Sequence, residues 1–144
     1  MLALAGQPVD SCLFVSPVVD MENLIQNMMT WAGVTEERLE REREIPTDFG
    51  QTLSWEYLNY VRRHPVHALS ARTHILYGDR DDLVPQPVVE RFAQREGAAL
   101  TVYPGGEHWF HTPEQVDVMG QRGRNSACPD WKICLDFPVR TLQS

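Results

Sequence analysis

Tyr77-Gly78-Asp79-Arg80-Asp81-Asp82-Leu83-Val84-Pro85 and Gly105-Gly106-Glu107-His108-Trp109-Phe110-His111 decide how this chain reads, because each follows a strand-like apolar run. The first run, Thr73-His74-Ile75-Leu76-Tyr77, closes at Gly78; the second, Ala99-Leu100-Thr101-Val102-Tyr103, closes at Pro104-Gly105-Gly106. Between them Val88, Val89 and Phe92 mark a helix that stops near Gly97. A strand, a helix and a second strand within so short a stretch form a crossover unit, which predicts parallel strands. One loop thus presents an acid and the other a histidine just past parallel strand ends, where an open α/β sheet gathers its ligands.

Upstream, Cys12-Leu13-Phe14-Val15-Ser16 is almost uniformly apolar and ends at Pro17, as a strand buried on both faces does. Asp20 then precedes Met21, Leu24, Ile25 and Met28, spaced as one helical face, with Asp20 the expected N-cap and Gly33 the stop. Thr35 to Glu44 packs five glutamates and three arginines into a solvated charged helix, with Glu37 and Arg41 at a favourable i, i+4 spacing. Ile45 to Gly50 reads as a loop, and Leu53, Tyr57, Tyr60 and Val61 as another helix running to about Arg63. Thr112-Pro113-Glu114-Gln115 combines an N-cap, a proline at the first helical position and a capping-box glutamine, so a last helix starts there. Gly120 and Gly123 are expected to break that helix after Met119. Trp131, Ile133, Leu135 and Phe137 alternate with polar residues as a short terminal strand would.

The chain's 144 residues suffice for one ordinary domain. A net charge of -7, with twelve arginines but Lys132 as the single lysine, argues against a nucleic-acid surface. Met1 to Gly6 lacks the length and basic flank of a signal peptide, and no apolar run approaches the roughly 20 residues that span a bilayer, so a cytoplasmic protein with no membrane partner is expected. Cys12, Cys128 and Cys134 are an odd count. Cys12 sits in an apolar run, and Cys128 and Cys134 are too widely spaced for a C-x-x-C site.

The chemistry lies in the order of the two loops. A serine hydrolase places an acid and then a histidine after its nucleophile, which stands in a G-x-S-x-G turn between strand and helix. At these positions the chain resembles the α/β-hydrolase family, over roughly residues 10 to 119, the C-terminal part of that fold. In that family the acid follows the penultimate core strand in a G-x-x-D-x-x-V-P-like turn, which the resemblance carries onto Asp81. The family histidine follows the last core strand, and Gly105-Gly106-Glu107-His108 matches it at His108. Asp79 and Asp82 are neighbours that could be confused with Asp81, and all three could instead form a solvated, Asx-rich turn. Such a pair suits proton transfer: imidazole takes the proton from serine, and a buried aspartate fixes its tautomer. His108 and His111 also have H-x-x-H spacing, but no third ligand is evident and no metal or other cofactor is expected. His64, His67 and His74 lack supporting partners.

The resemblance implies a partial α/β-hydrolase fold of about three parallel core strands with flanking helices. Residues 1–119 would be the C-terminal portion of the domain and 120–144 an irregular tail. The helices at about 18–63 would form a cap-like insertion, in which Met28, Met29, Trp31, Trp55 and Tyr57 line an apolar pocket unless they are simply core. The departure is equally plain. Ser11, Ser16, Ser54, Ser70, Ser126 and Ser144 all lack the flanking glycines of a nucleophile turn. The expectation is an N-terminally truncated chain whose first strand exposes an edge, inviting a homodimer. Two functions remain open. One is the C-terminal part of a serine hydrolase, taking a small-molecule ester, thioester or peptide-like substrate when complete. The other is a non-catalytic binding or interaction module derived from one.

Overall fold

The computed structural model describes residues 10–66 and 72–125. These fall into two compact units, Val18–Val66 and the residues on either side of it in sequence. The expected tail strand, Lys132, and the cysteines at 128 and 134 lie outside the described residues, as do residues 1–9.

The flanking unit is built on three strands: β1 (Ser11–Val15), β4 (Arg72–Gly78) and β5 (Ala99–Tyr103), the numbers 2 and 3 belonging to a hairpin in the other unit. They form a parallel sheet in the order β1-β4-β5, with Val15 opposite Leu76 and Leu76 opposite Thr101. β4 is therefore the central strand, and Ile75, Leu76 and Tyr77 are buried on its two faces. In β1, Cys12, Leu13 and Phe14 are likewise buried on successive positions, as the uniform apolar run predicted. The crossover helix α4 (Gln86–Glu96) buries Val88, Val89, Phe92 and Ala93 and ends where Gly97 adopts φ +66°, a left-handed conformation cheap for glycine.

Helix α5 (Pro113–Asn125) starts with the expected capping box. The Gln115 amide donates to Thr112 Oγ1 (3.3 Å), and Gln115 Oε1 accepts from the Thr112 amide (3.5 Å). Its end differs from expectation: the helix continues through Gly120 and Gly123 to Asn125. Each glycine costs only about 1 kcal/mol in a helix, which the packing of Val118 and Met119 against Leu13, Leu76 and Phe110 helps offset.

The second unit contains α1 (Met21–Trp31), α2 (Glu36–Glu42), the hairpin β2 (Glu44–Pro46) and β3 (Thr52–Ser54), and α3 (Trp55–Arg63). Each helix has a side-chain cap: Asp20 accepts from the Asn23 amide, Thr35 from Arg38 and Ser54 from Tyr57. The hairpin replaces the loop expected at Ile45 to Gly50. Its strands are three residues long and include Pro46, too short to show alternation, yet Ile45 pairs with Leu53 and both point inward. Thr47 closes the turn by donating both its amide and its hydroxyl to the Gln51 carbonyl. The core joins Ile25, Met29, Val34, Leu39, Ile45, Leu53, Leu58 and Val61, with Met28 and Trp55 packed against it. Three of the five residues expected as either pocket lining or core, Met28, Met29 and Trp55, thus belong to this unit's own core. Trp31 and Tyr57 are exposed.

On its surface Arg62 of α3 clamps Glu36 with two nitrogens (2.6 and 2.9 Å) and donates to Glu22 (2.7 Å). These bonds hold the guanidinium pKa above its ordinary value and the Glu36 carboxyl below its own, the Arg62 hydrogen bond being the main cause of the latter. In α2 the i, i+4 pair forms between Arg38 and Glu42 (3.1 Å), one residue on from the expected one.

Candidate acid–histidine site

Gly78 ends β4, and the chain turns at once: the Asp81 amide donates to the Gly78 carbonyl (3.1 Å). The Asp81 side chain then organises its own loop, Oδ1 accepting from the amides of Leu83 (2.9 Å) and Val84 (3.0 Å). This is the Asx-type turn the sequence allowed, but it is not solvated, because the Asp81 side chain is 0 % exposed. Below it the Tyr77 hydroxyl donates to the Val84 carbonyl at 2.6 Å. Burial, with the charges of Asp81, Asp79 and Glu90, pushes the Tyr77 hydroxyl up to about 12, so it stays a neutral donor wherever the protein is folded near neutrality.

The histidine loop leaves β5 through Gly105, at φ +75°, and Gly106. It crosses the acid loop with almost no room: a Cβ on Gly78 would stand 2.2 Å from the Gly106 carbonyl oxygen. One on Gly106 would stand 2.9 Å from the Gly78 Cα. Two glycines facing each other are what lets the loops touch backbone to backbone. There Arg80 donates its amide to the Gly106 carbonyl (2.9 Å) and Asp79 its amide to Tyr103 (3.3 Å). Phe110, buried and at φ +45°, plugs the loop into the core shared with Leu13 and Leu76.

The result is a contact between the two residues singled out in the sequence. His108 Nδ1 lies 2.8 Å from Asp81 Oδ2, a hydrogen bond across 27 residues of chain between an almost buried imidazole and a buried carboxylate. Both Asp81 oxygens are thus engaged, one by backbone amides and one by imidazole. A carboxylate accepts only, so Nδ1 carries the proton and Nε2 is left as the nitrogen that can accept one. The arrangement can receive a proton from a hydroxyl and stabilise the resulting imidazolium.

The neighbouring candidates separate cleanly. Asp79 does not touch His108; its Oδ1 accepts from the Gly105 amide at 2.6 Å. His111 is exposed and pairs with Glu107 (3.2 Å), so the two histidines of the H-x-x-H spacing have different partners. Among the described residues no group of three or more histidines, cysteines and acids could hold a metal ion, and no helix is long and apolar enough to cross a membrane. Sequence reasoning missed the parts played by Tyr77, Asp79 and Phe110. Only the paired glycines, 78 and 106, signalled the close crossing. Ser16, passed over for lack of flanking glycines, ends β1 at φ +39° with its Oγ buried and without a hydrogen-bond partner among the described residues.

No protein-family model matches the chain, and neither does any curated protein. Solved structures do match. The alpha/beta hydrolase domain-containing protein 10 from mouse is 12 % identical with a TM-score of 0.66, the match covering 85 % of this chain and 53 % of that one. Est1E from Butyrivibrio proteoclasticus is 15 % identical with a TM-score of 0.58, over 81 % of this chain and 49 % of that one. The same Est1E with ferulic acid bound gives 16 % and 0.60, over 81 % and 48 %. The chain therefore has part of the α/β-hydrolase fold and spans about half the length of these structures.

Proposed function

We propose that this chain supplies the acid and the histidine of a serine hydrolase acting on ester, thioester or amide bonds, Asp81 holding the tautomer and His108 acting as the base. The observation that carries this reading is the 2.8 Å bond between His108 Nδ1 and the fully buried Asp81 carboxylate at the C-terminal edge of a parallel sheet. In the complete enzyme His108 Nε2 takes the proton of the attacking serine and returns it to the leaving group, while Asp81 steadies the imidazolium. The serine itself belongs to a G-x-S-x-G turn that this sequence does not contain.

The test is kinetic. In the complete enzyme, Asp81→Asn or His108→Gln is expected to lower kcat for a small ester by roughly 10³- to 10⁴-fold with an unchanged circular dichroism spectrum. Hydrolysis at the parental rate by both variants sinks the assignment. Labelling of this chain alone by a serine-directed fluorophosphonate would contradict the absence of an activated nucleophile.

A further inference from the structure

Asp79 is one of the two acids of this loop that the chemistry does not use, and its position is specific. Its Oδ1 reaches across to the other loop and accepts from the Gly105 amide at 2.6 Å, across 26 residues of chain. The opposite side of the same glycine is held too, because Gln115 Nε2 donates to the Gly105 carbonyl (3.4 Å). Gly105 stands at φ +75°, a left-handed conformation from which the chain turns into Gly106 and, three residues on, His108. The hinge of the histidine loop is thus gripped at its N–H by the acid loop and at its C=O by the start of α5.

We propose that Asp79 is a positioning residue for the His108–Asp81 pair: its carboxylate fixes the Gly105 amide and with it the approach of the imidazole. Its carboxylate bonds the backbone of the histidine loop rather than the imidazole, so it acts through the loop. The backbone bonds between the loops, Arg80 to Gly106 and Asp79 to Tyr103, set their spacing. Asp79 Oδ1 adds a side-chain anchor at the glycine where the loop could otherwise rotate, since glycine has the widest choice of φ and ψ. The catalytic meaning of this grip rests on the hydrolase reading; the grip itself does not.

Proton NMR of the full chain reads it directly through the low-field signal of the His108 Nδ1 proton and its exchange with water. Asp79→Asn removes the charge but keeps a side-chain carbonyl, whereas Asp79→Ala and the similarly sized Asp79→Leu remove the acceptor. The proton should exchange about tenfold faster in the Ala and Leu variants, the scale of one net hydrogen bond, and within about twofold of the parent in Asp79→Asn. Parental exchange in both acceptor-free variants overturns the proposal, as does an Asn variant as fast as Ala, which would make the effect one of charge. The hydrolase reading fails separately: a complete enzyme carrying His108→Gln that still hydrolyses esters removes the catalytic role while leaving the exchange result in place.

Discussion

The two units of this molecule are stabilised by opposite means. Val18–Val66 is conventional: three capped helices and a hairpin close over eight buried apolar residues, and its charges pair at the surface. Its single non-glycine residue with positive φ, Arg43, caps α2 at an exposed position. The sheet unit instead concentrates costs around one edge. Ser16 and Phe110 are buried at positive φ, the Ser16 hydroxyl has no partner among the described residues, two glycines touch, and a carboxylate is fully withdrawn from water. Strain of this kind costs about 1–3 kcal/mol per residue and persists only where the surroundings over-determine it. The unit that holds the Asp81–His108 pair is the one whose strained residues are buried.

That contrast can be broken most directly at Gly78. Gly78→Ala forces a methyl against the Gly106 backbone, which has no flexible side chain to move aside, and should lower unfolding free energy by about 3 kcal/mol in urea titration. A loss under about 0.5 kcal/mol would mean the loops are not in firm contact. Ser16→Gly tests the strain from the other side. It relieves the backbone and removes a buried hydroxyl with no partner among the described residues, against the entropy cost of a glycine, so a net gain of about 1 kcal/mol is expected. A loss instead would show that the hydroxyl contributes to the fold.

The smallest effect belongs to the helical unit. Arg62→Met gives up part-buried, solvent-screened ion pairs and should cost about 1 kcal/mol. Because Glu36 has its folded pKa lowered by Arg62, its share is present above the ordinary glutamate value and lost as pH falls, so parent and variant should converge on acidification. A penalty at Arg62 equal to that at Gly78 would erase the difference between the units.

What the sequence disclosed follows the same division. Periodicity and caps placed the helices and most of their starts, because Asp20, Thr112 and Gly97 act within a turn of where they stand. The parallel run of β4 and β5 was legible because a short crossover leaves little choice of arrangement, while Asp81 and His108 were singled out by the family resemblance. The hairpin was not: three-residue strands with a proline carry no period, and only the burial of Ile45 and Leu53 makes them strands. Nor was the work of Asp79, since three aspartates within four residues look alike until the second loop is in place. The extension of α5 past Gly120 escaped for a related reason: propensity acts locally, whereas Val118 and Met119 pack against residues far along the chain.

The crossover also sets a schedule. The acid loop, α4 and the histidine loop form one contiguous stretch, whereas β1 must find β4 across the whole helical unit, Ser11 meeting Arg72. Closing the longer loop costs more chain entropy, so β4, α4 and β5 have the shorter search. On that account His108 is expected to meet Asp81 before β1 joins β4.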